Sequence, residues 1–130
     1  MDMIAWVLIG LAALMLGYQL HVMLAARRMH GRPVPAVGGD LGERIASMPV
    51  AVLYFTAEQC HNCRAMDPLV EALAKEYDNL VRIDAVEHLD IARRFQVRAT
   101  PTIVRVRGGV IERVLLGKAS EAKMRELLSA

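Results

Sequence analysis

The chain has 130 residues, which is enough for one small domain and an additional segment. Its 16 Lys and Arg residues and 14 Asp and Glu residues leave a formal net charge of only +2, so the sequence does not indicate a nucleic-acid partner. The 2 cysteines, Cys60 and Cys63, belong to one short motif, which excludes a small secreted scaffold held together by several disulfides.

The segment from Met3 to Ala26 contains no Asp, Glu, Lys or Arg. As a helix it would be ~36 Å long at about 1.5 Å per residue, and the hydrocarbon core of a bilayer is ~30 Å thick. The sequence therefore predicts a transmembrane anchor over residues 1–27, held in the lipid bilayer. A cleaved signal peptide is the alternative, but no basic residues precede the apolar run, and no clean small-x-small cleavage site precedes the arginines.

Small residues line one face of this predicted helix, at Gly10, Ala13 and Gly17. Small side chains at such a spacing allow a second helix to approach closely, so these positions are candidates for contact with a transmembrane helix partner. The alternative is that Gly and Ala are simply common in membrane-spanning helices.

Three arginines, Arg27, Arg28 and Arg32, follow the apolar segment directly, whereas only Asp2 and the terminus precede it. Positively charged residues beside a membrane span favour the cytoplasmic side. The charges therefore predict an N-terminus outside and the rest of the chain in the cytoplasm. The alternative is a domain on the periplasmic face.

Residues 28–39 contain two prolines and several glycines, a composition that predicts a linker between the anchor and a domain over residues 40–130. Within that domain the period of the apolar residues and the turn residues predict helices and strands. The helices are predicted over 40–47, 62–77, 89–95 and 121–128, the last one capped by Ser120. The strands are predicted over 50–55, 80–85, 102–107 and 110–116.

Gly108 and Gly109 separate the last two predicted strands, and a Gly-Gly pair is a typical two-residue hairpin turn. In that register Arg105 faces Glu112. Because Arg105 lies among apolar residues on its strand, and a buried guanidinium needs a partner, we expect an ion pair between the two side chains.

The most informative stretch joins the strand over 50–55 to the helix over 62–77 through Cys60 and Cys63. The helix is predicted from apolar residues that recur on one face, namely Met66, Leu69, Val70, Leu73 and Tyr77. Cys60 should therefore lie at a helix N-terminus, where unpaired N–H groups and the helix dipole stabilise a thiolate. Two sulfurs this close in sequence can form a disulfide and reopen it.

Over roughly residues 36–130 the chain resembles the thioredoxin family. The shared features are the strand–CxxC–helix unit with Pro68, the Thr100-Pro101-Thr102 stretch where the family has its cis-proline loop, the Gly hairpin, and a Gly before the last helix. The resemblance implies a thioredoxin-like α/β fold, with helices on both faces of a mixed central sheet. It also implies thiol–disulfide exchange with protein clients and no bound cofactor.

The resemblance implies roles for individual residues as well. Cys60 would attack a client disulfide and Cys63 would resolve the mixed disulfide, while Thr100 and Pro101 would bind the client backbone as an added strand. The alternatives are an inert structural disulfide and, for the whole chain, a non-catalytic interaction subunit of a membrane complex. No metal site is predicted, because two cysteines and the adjacent His61 fall short of the four ligands of a structural zinc site.

His61, Asn62 and Tyr54 are among the residues near the cysteines that depart from the family pattern. His61 and Asn62 stand between the cysteines, where typical thioredoxins have Gly-Pro. A cationic His61 would favour the Cys60 thiolate and a more oxidising couple, whereas a His61 directed to solvent would have little effect on either. Tyr54 aligns with the buried acid of the family and is a poor proton acceptor at neutral pH, so this position is not expected to assist Cys63 as a base.

Overall fold

A four-stranded mixed sheet organises the part of the chain that the computed structural model describes, residues 2–129. The strands are β1 (Val50–Thr56), β2 (Leu80–Asp84), β3 (Thr102–Arg107) and β4 (Val110–Leu116). The helices are α1 (Met3–Arg28), α2 (Gly39–Ser47), α3 (His61–Glu76), α4 (Leu89–Arg94) and α5 (Glu121–Leu128). Within the domain, β3, β4 and α5 have the predicted bounds, and the other elements differ from prediction by one residue at one or both ends.

The spatial order of the strands is β2-β1-β3-β4, with β2 parallel to β1 and the other two pairs antiparallel. β1 is central, and every one of its residues is buried. Because side chains alternate across a strand, Leu53 and Phe55 face one core layer and Val52 and Tyr54 face the other. Residues of α2 and α4 close the first layer, and residues of α3 and α5 close the second. The predicted fold, a mixed sheet with helices on both faces, is therefore confirmed.

The β3–β4 hairpin turns at Gly108 and Gly109, whose φ angles of 56° and 78° are left-handed values that glycine adopts without strain. A register shift beside Arg105 makes Arg113, not Glu112, its partner on the ladder. Glu112 Oε2 nevertheless lies 3.3 Å from Arg105 Nε. The predicted ion pair is confirmed, although the bulge changes the pairing through which it forms.

Within the described residues, α1 is the single helix that is long and apolar enough, by length and composition, to cross a membrane. Its last turns differ from the rest, because Val22 and Ala25 are buried and α1 contacts β4. Met29, which ends the helix, is 3% exposed and belongs to the core layer that includes Phe55. The C-terminal end of α1 is therefore packed against the domain.

The chain after α1 continues along the outer edge of β4. Backbone hydrogen bonds of 2.7 to 2.9 Å join residues 31–34 to residues 109–111. The His30 Nε2 atom also accepts a hydrogen bond from the Val114 N–H at 3.0 Å. These contacts form an isolated bridge rather than a strand, and they attach the first half of the segment predicted as a linker to the sheet.

Candidate active site

Cys60 ends the loop that leads from the carboxyl end of β1 into α3, and it is the N-cap residue of that helix. Its Sγ accepts a hydrogen bond from the Cys63 N–H at 3.2 Å, which satisfies one of the N–H groups left unpaired at a helix start. The two cysteines form a disulfide, with their Cα atoms 5.1 Å apart. Cys60 thus has the predicted position at the helix N-terminus, which favours a thiolate once the disulfide is reduced.

The two sulfurs of the disulfide differ in exposure. Cys63 is fully buried, at 0% exposure, whereas Cys60 is half-buried at the surface end of the helix. Only the Cys60 sulfur is therefore within reach of another protein without a rearrangement of α3.

The loop before β3 lies beside Cys60. The Thr100 carbonyl oxygen is 3.3 Å from Cys60 Sγ, and the Thr100–Pro101 peptide bond is cis. The antiparallel pairing of β1 with β3 brings these residues together, since Phe55 near the end of β1 is opposite Thr102 at the start of β3. The structure thus brings Thr100 and Pro101 to the disulfide, although 40 residues separate Thr100 from Cys60.

His61 and Asn62 are the first two residues of α3, and both are exposed. Across residues 2–129, neither side chain forms a hydrogen bond or ion pair with another residue. Any effect of His61 on Cys60 therefore acts through charge at an exposed position, where salt screens it.

Tyr54 lies under α3 at 0% exposure, and its hydroxyl donates a hydrogen bond to the Cys63 carbonyl at 3.4 Å. Burial raises the pKa of the Tyr54 phenol above its usual value. The Thr56 hydroxyl and the Arg82 guanidinium oppose this effect, and the Asp67 carboxylate adds to it. Tyr54 is therefore neutral at physiological pH and acts as a hydrogen-bond donor.

A family model described as Thioredoxin matches residues 39–130. The chain belongs to the thioredoxin family. Thioredoxin from Echinococcus granulosus is 34% identical over 100 residues, which cover 75% of this chain and 92% of that protein. Thioredoxin H2 from Arabidopsis thaliana is 37% identical over 78 residues, which cover 58% of this chain and 59% of that protein. The chain thus spans less than two thirds of the length of some of its thioredoxin relatives.

Solved thioredoxin structures share the fold. A mutant thioredoxin from Halobacterium salinarum NRC-1 superposes with a TM-score of 0.64 at 27% identity, over 75% of this chain and 88% of that chain. Thioredoxin from Schistosoma mansoni superposes with a TM-score of 0.60 at 28% identity, over 69% of this chain and 85% of that chain. The residues matched by the family model include Cys60 and Cys63, which form the disulfide.

Sequence reasoning about this thioredoxin-family site missed the polar residues beneath the disulfide. Asp67 of α3 forms an ion pair with Arg82 of β2 at 3.6 Å. Thr56, at 2% exposure, adjoins Tyr54 on the same face of β1, since the two are separated by one residue. The available signal was the spacing of Asp67 from Cys63, because residues four apart on a helix share a face.

Proposed function

We propose that this thioredoxin-family chain is a membrane-anchored oxidoreductase that exchanges disulfides with protein clients through Cys60-His61-Asn62-Cys63. One observation chiefly supports this function. A half-buried Cys60 at the N-terminus of α3, with its sulfur beside the Thr100 carbonyl, is paired with a fully buried Cys63. Such a pair has one sulfur that can meet a client and one that acts only afterwards.

Exchange in the reductive direction has two steps. The Cys60 thiolate attacks one sulfur of a client disulfide, and the other client sulfur leaves as a thiolate. Cys63 then attacks Cys60 Sγ, and the bound client sulfur leaves with the electron pair. The client has gained two electrons, and the Cys60–Cys63 disulfide is restored without a bound cofactor. The same steps in reverse oxidise a client dithiol. The reduction potential of the Cys60–Cys63 pair, measured against glutathione, therefore gives the direction of the exchange.

Thr100 and Pro101 are proposed to bind the client. Thr100 is half-buried and Pro101 is buried, so the backbone of this loop is the part available for pairing with an extended client segment, as in strand addition.

His61 and Asn62 are proposed to tune the acidity of the Cys60 thiol, since a cationic His61 adds to the effect of the helix N-terminus on a thiolate. His61→Ala should then raise the pH midpoint of Cys60 alkylation, and an unchanged midpoint would argue against tuning by the imidazole.

The membrane anchor is proposed to be α1. Its apolar side chains are largely exposed, for example Leu14 and Leu16 at 73% and 72%, and a continuous apolar surface of this kind suits a bilayer. Gly10, Ala13 and Gly17 are proposed as the contact face for a transmembrane helix partner. A Cβ added at either glycine would meet nothing within 4 Å, so this face has room for a second helix.

The domain is proposed to lie on the cytoplasmic side, because Arg27, Arg28 and Arg32 follow the apolar segment. The periplasmic face is the alternative. A reporter that is active only in the cytoplasm should be active when fused to the C-terminus of the chain. Activity of a reporter that requires the periplasm, at the same fusion site, would select the alternative.

Capture of the mixed disulfide in cells tests the oxidoreductase function. Cys63→Ser removes the second nucleophile, so client adducts on Cys60 should accumulate and be visible on a non-reducing gel. Cys60→Ser is the matched control, because its remaining cysteine is buried and should capture nothing. Anchoring raises the effective concentration toward other membrane proteins, so the captured clients should be enriched in them.

A non-catalytic interaction subunit of a membrane complex is the second candidate function. It is favoured by Tyr54, which stands where the family has a buried acid. Equal capture by Cys63→Ser and Cys60→Ser, together with no reduction of insulin disulfides by the full chain, would select this function and exclude the oxidoreductase.

A further inference from the structure

A buried polar cluster lies beneath the disulfide, between α3 and the sheet. Its members are the Tyr54 hydroxyl, the Thr56 hydroxyl and the Asp67 carboxylate. The Tyr54 hydroxyl reaches the Cys63 carbonyl at 3.4 Å. In an α-helix that carbonyl also accepts the N–H of the residue four positions later, which is Asp67. Tyr54 thus contacts α3 at the turn that carries both Cys63 and Asp67.

Two atoms of this cluster, Thr56 Oγ1 and Asp67 Oδ1, are buried and have no hydrogen-bond partner among the described residues. The other carboxylate oxygen, Asp67 Oδ2, lies 3.6 Å from a nitrogen of Arg82, whose side chain is 50% exposed. The outer oxygen of the carboxylate therefore pairs with a cation at the surface, while the inner oxygen accepts no hydrogen bond. A buried acceptor without a partner costs stability, so its presence at this position points to a function.

Cys63 requires a proton acceptor if it takes part in exchange. It is fully buried, burial disfavours the charged thiolate, and only the thiolate attacks a disulfide. Tyr54 does not accept this proton, because burial raises the pKa of its phenol and keeps it protonated. Glu58 is exposed. Asp67 lies four residues after Cys63, on the same face of α3.

We propose that Asp67 is the proton acceptor for Cys63 in the exchange reaction, an assignment that rests on the oxidoreductase function proposed above. In the mixed disulfide, the Cys63 thiol gives its proton to the Asp67 carboxylate while Cys63 Sγ bonds to Cys60 Sγ. The bond between Cys60 Sγ and the client sulfur breaks, and the client sulfur leaves as a thiolate with the electron pair. The two cysteines are oxidised to a disulfide and the client sulfur is reduced.

The proton has a route out of the cluster. The Asp67 side chain is 28% exposed, so its carboxyl group can pass the proton to solvent or to the departing client thiolate. Tyr54 is a positioning residue in this arrangement, because its hydroxyl contacts the turn of α3 that carries Cys63. Tyr54 of β1 and Arg82 of β2 are titratable groups that face Asp67, and neither changes charge between about pH 6 and 9.

Reaction of the reduced full chain, in detergent micelles, with dithiobis(nitrobenzoate) separates the two sulfurs in time. This small disulfide releases one coloured thiolate when Cys60 attacks it and a second when Cys63 resolves the adduct. An absent first release would contradict the oxidoreductase function itself. Two releases that a change at Asp67 leaves unaltered would contradict the proton-acceptor role alone.

Asp67→Asn keeps the size of the side chain and removes its charge. At neutral pH it should slow the second release about tenfold or more, since general-base assistance is commonly worth about 10²- to 10⁴-fold, and it should leave the first release unchanged. The difference should shrink only as the pH rises well beyond about 8.5, where an ordinary thiol ionises unaided, because a buried thiol needs a higher pH still. A purely structural defect would not follow the pH in this way.

Asp67→Glu should restore part of the rate, because it returns a carboxylate to the cluster. Asp78→Asn is the matched control, since Asp78 is exposed after α3, and it should change neither release. Slowing of the second release by less than about threefold, or by the same factor at every pH, would overturn the assignment of Asp67.

Discussion

Met29 tests whether the end of α1 is part of the folded domain. Its side chain is 3% exposed and belongs to the same core layer as Ile111 of β4. Met29→Ala would remove this packing and leave a cavity, at a cost of about 2–5 kcal/mol for such substitutions. Because Met29 lies at the edge of the sheet, where neighbours can partly collapse, we expect about 2 kcal/mol, the lower end of that range.

A loss of ~2 kcal/mol corresponds to a fall in Tm of about 8–16 °C for a domain of this size. Circular dichroism of the full chain in a non-denaturing detergent measures it, since α1 keeps its helicity there and the melting signal comes from the domain. Met23→Ala is the matched control, because Met23 has the same side chain, lies in α1 and is 48% exposed. It should change stability by about 0.5 kcal/mol or less. Equal Tm values for the two variants would refute the packing of Met29 against the domain.

Three other contacts can be tested by substitution. Burial raises the pKa of the Tyr54 phenol. The contribution of the neutral phenol to stability is therefore present below about pH 10 and is lost as the pH rises through the folded-state pKa. The difference in the free energy of urea unfolding between the wild type and Tyr54→Phe should then fall above about pH 10, by at most ~1.4 kcal/mol per pH unit. Glu112→Gln leaves Arg105, whose side chain is 11% exposed, without its carboxylate, and should lower the free energy of unfolding by about 1–3 kcal/mol. Ser120→Ala removes the 3.2 Å cap hydrogen bond from the Lys123 N–H and should cost ~1 kcal/mol in the same assay.

Each of these substitutions has a matched control and a contrary outcome. A difference between the wild type and Tyr54→Phe that is independent of pH would contradict the role of burial. Glu43→Gln is the control for Glu112→Gln, because Glu43 is exposed and carries no ion pair among the described residues. Glu112→Gln must therefore lower the free energy of unfolding by more than Glu43→Gln does. Ser120→Asn keeps a capping side chain, and a cost equal to that of Ser120→Ala would exclude the cap as the cause.

The elements of the domain could be predicted because their signals are local. The Gly108-Gly109 turn, the apolar face of α3 and the buried run of β1 are each encoded by residues adjacent in sequence, and each is observed. The pairing of Cys60 with Cys63 could also be predicted, because only two residues separate the two cysteines and this spacing brings their sulfurs together. The local spacing of apolar residues and the identity of the turn residues thus determine which elements form and roughly where each begins and ends.

The sequence by itself determined the fold class and the cysteine pair, whereas the tertiary structure decided which distant side chains meet. Asp67 could be placed on the same helix face as Cys63, but its approach to Tyr54 depends on how α3 crosses β1. The attachment of Met29 to the core depends on a bridge to the edge of β4 that no local signal encodes. The bulge beside Arg105 likewise follows from the packing of the whole sheet. Such contacts arise between residues far apart in the chain, so their geometry is fixed only when the layers pack together.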